Sequence, residues 1–162
     1  MNRENTSIRV GALIIKDGRL LTVKHKDYPF YYTVGGRLEF NETTEEGVIR
    51  EVFEEIGCNI EVERLAVISE SFFVGHDYDG KEHHGIGFYY LMKGQDCEGL
   101  DIADGTPTDQ EREQLFWLDM NELEQFNLVP PFLKTSLKDL NRSNSVMHIV
   151  DDERKGASGK MR

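Results

Sequence analysis

The pattern of apolar and polar positions changes period several times along this chain, and each change marks an element. Ile8 to Lys16 and Arg19 to Lys24 are β-rich runs, and Asp17-Gly18 between them is a strong hairpin signal. Tyr31 to Val34 is a short strand leading into Gly35-Gly36. From Thr44 to Ile56 the apolar residues recur at helical spacing, and Gly57 ends the run. A strand from Ile60 to Ser71, extending toward Val74, an Asp79-Gly80 turn and a strand from Gly85 to Met92 make a long hairpin. A loop from Gly94 to Asp109 precedes a strand at Gln114 to Leu118, and Asn121 to Gln125 starts a short helix. Pro130-Pro131 breaks the chain before a final helix, Phe132 to Leu140. Val146 to Val150 reads as an extra strand. This order predicts an α+β (mixed α/β) fold with helices on both faces of a sheet.

The central helix carries the chemistry. Between Gly36 and Cys58 the chain reads GRLEFNETTEEGVIREVFEEIGC, which sets Gly36, Glu42, Arg50-Glu51, Glu54-Glu55 and Gly57 at fixed offsets, with apolar Val52 and Cys58. At average residue usage that pattern arises by chance about once in ten million chains of this length. Laid on a helix, Glu51, Glu54 and Glu55 fall within an arc of about 100°. Val48, Ile49, Val52 and Ile56 form a separate stripe that can bury against a sheet. Three carboxylates so close raise one another's pKa unless a positive charge sits among them. An oxygen-only donor set without nearby His or Cys favours Mg²⁺ or Mn²⁺ over zinc, and Mg²⁺ commonly shares its shell with substrate phosphates. A solvated acidic face would explain Glu54-Glu55 alone, but it does not require the two glycines and the arginine at set offsets.

Composition narrows the partners. The net charge of −11 argues against polymeric nucleic acid, which needs a basic patch, while a metal could invert the local charge for a small phosphorylated ligand. Two cysteines, with no signal peptide or membrane-length apolar run, make a reducing cytoplasm the expected location. Residues 1–153 read as one domain and 154–162 as a disordered tail.

The segment from Gly36 to Cys58 resembles the Nudix box of the Nudix hydrolase superfamily at all nine specified positions. The resemblance implies an α/β/α sandwich with a mixed central sheet. It also implies a metal-dependent hydrolase that cleaves the phosphoanhydride bond of a nucleoside diphosphate linked to another moiety, by attack of water at phosphorus. By the same carry-over, Glu51, Glu54 and Glu55, with the carbonyl of Gly35, hold the metal. Arg50 orients a glutamate, and Glu42 supports the loop. Val34 and Asn41 depart from the usual Pro and Gly of the family, but neither supplies a ligand. Asn tolerates a left-handed backbone, and Asn41 or Thr43 can cap the helix. Gly47 is explained if the helix packs closely on the sheet, and Cys58 fills an apolar slot.

The catalytic base is expected at Glu54 or at a carboxylate of the late loop, Glu111 with Glu113 as its rival. Arg37, Tyr32 and Phe73 are the expected substrate contacts, and the aromatics before the box and at the end of the nearby strand can stack on a base. His76, His83 and His84 lack zinc spacing and read as surface or substrate-contact residues. The substrate expected is a small nucleotide derivative, and related proteins are often homodimers. A sensor of the same fold that has lost hydrolysis is the alternative. The intact set of carboxylates favours hydrolysis.

Overall fold

The computed structural model describes residues 5–74, 81–95, 100–140 and 142–155. Its elements in chain order are β1 (Asn5–Leu13), β2 (Ile15–Lys16), β3 (Arg19–His25), β4 (Tyr31–Arg37), α1 (Thr44–Ile56), β5 (Val62–Val74), β6 (Glu82–Met92), β7 (Thr106–Pro107), β8 (Glu113–Asp119), β9 (Leu128–Val129), α2 (Phe132–Leu140) and β10 (Met147–Asp152). Short 3₁₀ turns occupy Leu123–Gln125 and Glu153–Lys155.

The strands join in the order β10-β5-β6-β1-β4-β3-β8-β7, with β2 beside β3 and β9 beside β4. Parallel pairs (β1 with β6, β5 with β10, β4 with β9) occur beside antiparallel ones, so the sheet is mixed. Strand β4 is the junction. Its first half pairs with β3 through Thr22↔Thr33, and its second half pairs with β1 from Ala12↔Val34 to Arg9↔Arg37.

Alternation along β1 puts the two helices on opposite faces. Val10 and Ala12 pack in one core with Val48 and Val52 of α1, whereas Leu13 packs in the other with Phe132, Leu133, Leu137 and Leu140 of α2. The fold is therefore the expected α+β arrangement. Among the described residues no helix is long and apolar enough to cross a membrane.

Local chemistry explains most element ends. Asp17 and Gly18 both take positive φ, 51° and 73°, as a two-residue hairpin turn requires. Both helices span the ranges expected of them. The paired strands run longer than expected at Glu82 and Asp152, because inter-strand hydrogen bonds extend a ladder through residues of weak propensity. The two-residue strands β7 and β9 carry no pattern of their own. The 3₁₀ turn reaches two residues past the expected tail boundary: Arg154 donates to both oxygens of Asp152, at 2.7 and 2.9 Å, and stacks over Phe72. The expected Asp79-Gly80 turn, together with His76 and Cys97, lies outside the described residues.

Candidate active site

The loop between β4 and α1 folds back on the helix and is fixed at both ends. Asn41 takes φ 68°, the left-handed conformation expected of it. Thr43 is the N-cap: its hydroxyl accepts from the Glu46 N–H at 3.1 Å, and Glu46 accepts from the Thr43 N–H at 2.7 Å. Gly57 closes the helix at φ 80°, donating to Phe53 O at 2.8 Å. A hydrogen bond of 2.6 Å between Thr44 Oγ1 and the Tyr90 hydroxyl ties the first turn to β6.

Arg50 organises the carboxylates. Its Nη2 and Nε donate to the two oxygens of Glu42 at 2.7 and 3.0 Å, and its Nη1 donates to Glu51 at 3.0 Å and Glu54 at 3.1 Å. Nη2 also donates to the Arg37 carbonyl at 3.2 Å, which locks the loop to the helix. This charge-assisted set holds the Glu42 carboxyl below its ordinary range. Gly47 leaves room for it, since a Cβ there would lie 2.9 Å from Leu38 and 3.0 Å from Glu42 Oε1. The close packing expected at Gly47 is therefore against the loop and not against the sheet.

The helix is also turned relative to expectation. Val48, Val52 and Glu55 are buried, while Ile49 is 36% exposed and lies in the same row as exposed Phe53. The face toward the sheet is centred near Val48, Val52 and Glu55, about 50° from the mean of the predicted stripe. Glu55 thus sits under the helix, and among the described residues it accepts only a long 3.4 Å contact from the Gly35 N–H. Burial, then the charges of Glu113 and Glu51, push its carboxyl up to about 9. Glu51 is raised by burial against the opposing pull of Arg50. Gly36 makes the space for it: a Cβ there would lie 2.4 Å from Glu51 Oε1.

Gly35, Arg50, Glu51, Glu54 and Glu55 thus lie near one another, linked by the Arg50 bonds to Glu51 and Glu54 and by the Gly35–Glu55 contact. Of the late-loop carboxylates, Glu113 and, more weakly, Asp109 raise the Glu55 pKa through their charge, and Glu113 accepts from the Tyr32 hydroxyl at 3.0 Å. Glu111 stays exposed in the turn before β8. Tyr32 is held at the site by Glu113, and burial raises its hydroxyl pKa. The Tyr32–Glu113 contact has no signal in the sequence, because it depends on β3 lying between β4 and β8. Phe73 stands apart at the end of β5, its ring stacked on His83 at 5.2 Å. His84, on the opposite face of β6, stacks on Phe72 at 4.2 Å, so the two histidines do not share a ligand.

Among the described residues no three Asp, Glu, His or Cys side chains converge closely enough to enclose a metal by themselves. The positive charge among the helix carboxylates here is Arg50. The donor set nevertheless fits a hard cation: it is all oxygen, and Glu55 is a buried carboxyl that repels its neighbours when ionised. Mg²⁺ does not need an all-protein cage, since it keeps waters and takes substrate oxygens.

The NUDIX domain model matches residues 6–140. The chain belongs to this family. It is 46% identical over 55 residues to a MutT-like protein of Streptomyces ambofaciens, covering 34% of this chain and 36% of that one. It is 37% identical over 68 residues to an ADP-ribose pyrophosphatase of Methanocaldococcus jannaschii, covering 40% of each. These matches span well under two thirds of either relative. The crystal structure of a NUDIX hydrolase from Nitrosomonas europaea superposes with a TM-score of 0.62 at 16% identity, covering 93% of this chain and 81% of that one, which shows the shared fold.

Proposed function

We propose that this NUDIX domain hydrolyses a phosphoanhydride bond in a nucleoside diphosphate linked to another moiety, with water attacking phosphorus and Mg²⁺ or Mn²⁺ as cofactor. The observation that carries the reading is the Arg50 fan, which holds Glu42, Glu51 and Glu54 with one guanidinium beside the buried Glu55. Similarity to a pyrophosphatase over part of the chain supports the same reading.

Glu51, Glu54 and Glu55, with the Gly35 carbonyl, would hold the cation, which supplies charge neutralisation at the diphosphate and a more acidic water. Glu54 is the most open of the three, its side chain 43% exposed. It can take the proton from an attacking water, while Arg50 fixes its orientation. Glu55 keeps a proton near neutrality unless a cation neutralises its surroundings. Glu113, held by Tyr32, is the second candidate base, in preference to Glu111. Arg37 belongs to the loop through its carbonyl, and we assign its side chain to substrate phosphate. Phe73 requires a substrate that reaches the end of β5.

The functional unit in this reading is residues 1–153, acting on a small nucleotide derivative in a reducing cytoplasm, as a homodimer. The test is a panel of nucleotide sugars, ADP-ribose, dinucleoside polyphosphates, coenzyme A and nucleoside triphosphates, assayed with Mg²⁺ for phosphate-bearing products. Turnover of at least one compound is expected. Silence across the panel would favour the sensor.

A further inference from the structure

Arg9 and Arg37 are register partners in the antiparallel β1–β4 pair. Directly opposed residues project from the same face with Cβ atoms about 5 Å apart, and like charges in that position destabilise a sheet. Both arginines are exposed, and among the described residues neither side chain has a hydrogen bond or an ion pair. In a chain of net charge −11, two adjacent guanidiniums with no ion pair among the described residues are unexpected. The acid nearest in the chain, Glu39, lies 3.8 Å from Arg50.

The surroundings keep the pair open. Alternation places Arg9 on the face of Leu13, opposite α1, beyond the apolar patch that α2 covers. Its β6 partner is Gly87, and the Tyr89 ring fills the space above that glycine, so a neutral aromatic and not an acid flanks Arg9 on that side. On the other flank, Arg37 lines a cavity of about 320 Å³ together with Thr6, Ser7, Ile8, Leu38, Glu39 and the fully exposed Phe40, and Glu39 is the one acid in that lining. The charge of Arg9 also reaches Glu51 and Tyr32, so the pair lies within electrostatic range of the carboxylates.

We propose that Arg9 and Arg37 form an anion-binding site on the sheet face opposite α1, and that its ligand is a phosphate group. A single carboxylate is satisfied by one guanidinium fork, whereas two adjacent forks match the several oxygens and higher charge of a phosphate. The phosphate is either one carried by the substrate beyond the bond that is cleaved or a free phosphate. The site stands or falls by binding, independently of hydrolysis.

The test is calorimetric titration of the whole chain with inorganic tripolyphosphate in excess chelator, so that no metal takes part. R9Q and R37Q are each expected to weaken binding about tenfold or more. K138Q, which removes the same charge from the exposed end of α2, is expected to change it by less than about twofold. Thermal midpoints of R9Q and R37Q should equal or exceed that of the wild type, because one like-charge neighbour is gone. Equal weakening in all three variants, or no binding to the wild type, overturns the site. Steady-state kinetics then separates the two sources. If R9Q and R37Q raise KM for a nucleoside triphosphate more than for ADP-ribose, the phosphate belongs to the substrate. If tripolyphosphate binds through both arginines without competing with substrate, the ligand is free phosphate. Arginine-dependent binding without any turnover upholds the site and removes the hydrolase reading alone.

Discussion

Arg50 and Glu42 form a two-point ion pair across the loop that precedes α1, with Nη2–Oε1 at 2.7 Å and Nε–Oε2 at 3.0 Å. Both oxygens of one carboxylate are matched by two nitrogens of one guanidinium, a geometry that a lysine ammonium does not reproduce. Arg50→Lys is therefore expected to lower stability by about 2 kcal/mol, within the range for hydrogen bonds to charged groups. Turnover should fall as well, because Glu51 and Glu54 lose their common anchor. Chemical denaturation beside steady-state kinetics checks both effects.

Glu54 gives the opposite balance. Its side chain is largely open and its ion pair with Arg50 is partly exposed, so Glu54→Gln should leave the denaturation midpoint nearly unchanged. Loss of a general base is expected to lower kcat about 10²–10⁴-fold. A variant with full activity would remove Glu54 from the chemistry.

The two glycines of the turn separate structure from site. Gly35 has φ 148°, and a Cβ there would lie 2.1 Å from the Val10 carbonyl oxygen, so Gly35→Ala must displace backbone. We expect a loss of about 3 kcal/mol or more. At Gly36 the added Cβ meets the end of the Glu51 side chain, which can swing away. Gly36→Ala should thus keep most of the stability and weaken Mn²⁺ binding about tenfold, as displaced supporting groups do in metal sites.

How far these residues were legible in the sequence follows from the range of the interactions that place them. Thr43, Glu46 and Gly57 act within one helix turn, so the span of α1 and its caps could be read from local spacing. The burial of Glu55 could not, because the direction in which the helix docks is set by Val10, Ala12 and Val34 on distant strands. That Glu113 and not Glu111 bonds Tyr32 has a similar cause: the pairing of β3 with β8 decides which residue lies across from β4. The opposition of Arg9 to Arg37 depends wholly on strand register, which a one-residue slip would abolish.

Glu55 also makes stability depend on pH. Its carboxyl is raised from an ordinary 4.5 to about 9, so the folded protein binds more protons than the unfolded chain between those values. Stability without metal should therefore be greatest on this account below about pH 4.5 and decline as pH rises through 9. Glu55→Gln should flatten that slope, and saturating Mg²⁺ should reduce it. Urea midpoints measured from pH 5 to 9, with and without the metal, read the effect directly.

The central claim is that the α1 carboxylates serve metal-dependent attack of water at phosphorus. It is tested most directly by ³¹P NMR of the products formed in H₂¹⁸O with Mg²⁺, on whichever nucleoside diphosphate derivative the panel shows to be turned over best. The account predicts that one ¹⁸O enters one phosphate product with the wild type, and that product formation is abolished by chelation and by the combined E51Q, E54Q and E55Q substitutions. Label-bearing product at the wild-type rate from the triple variant, or no cleavage of any compound by the wild type, would contradict it.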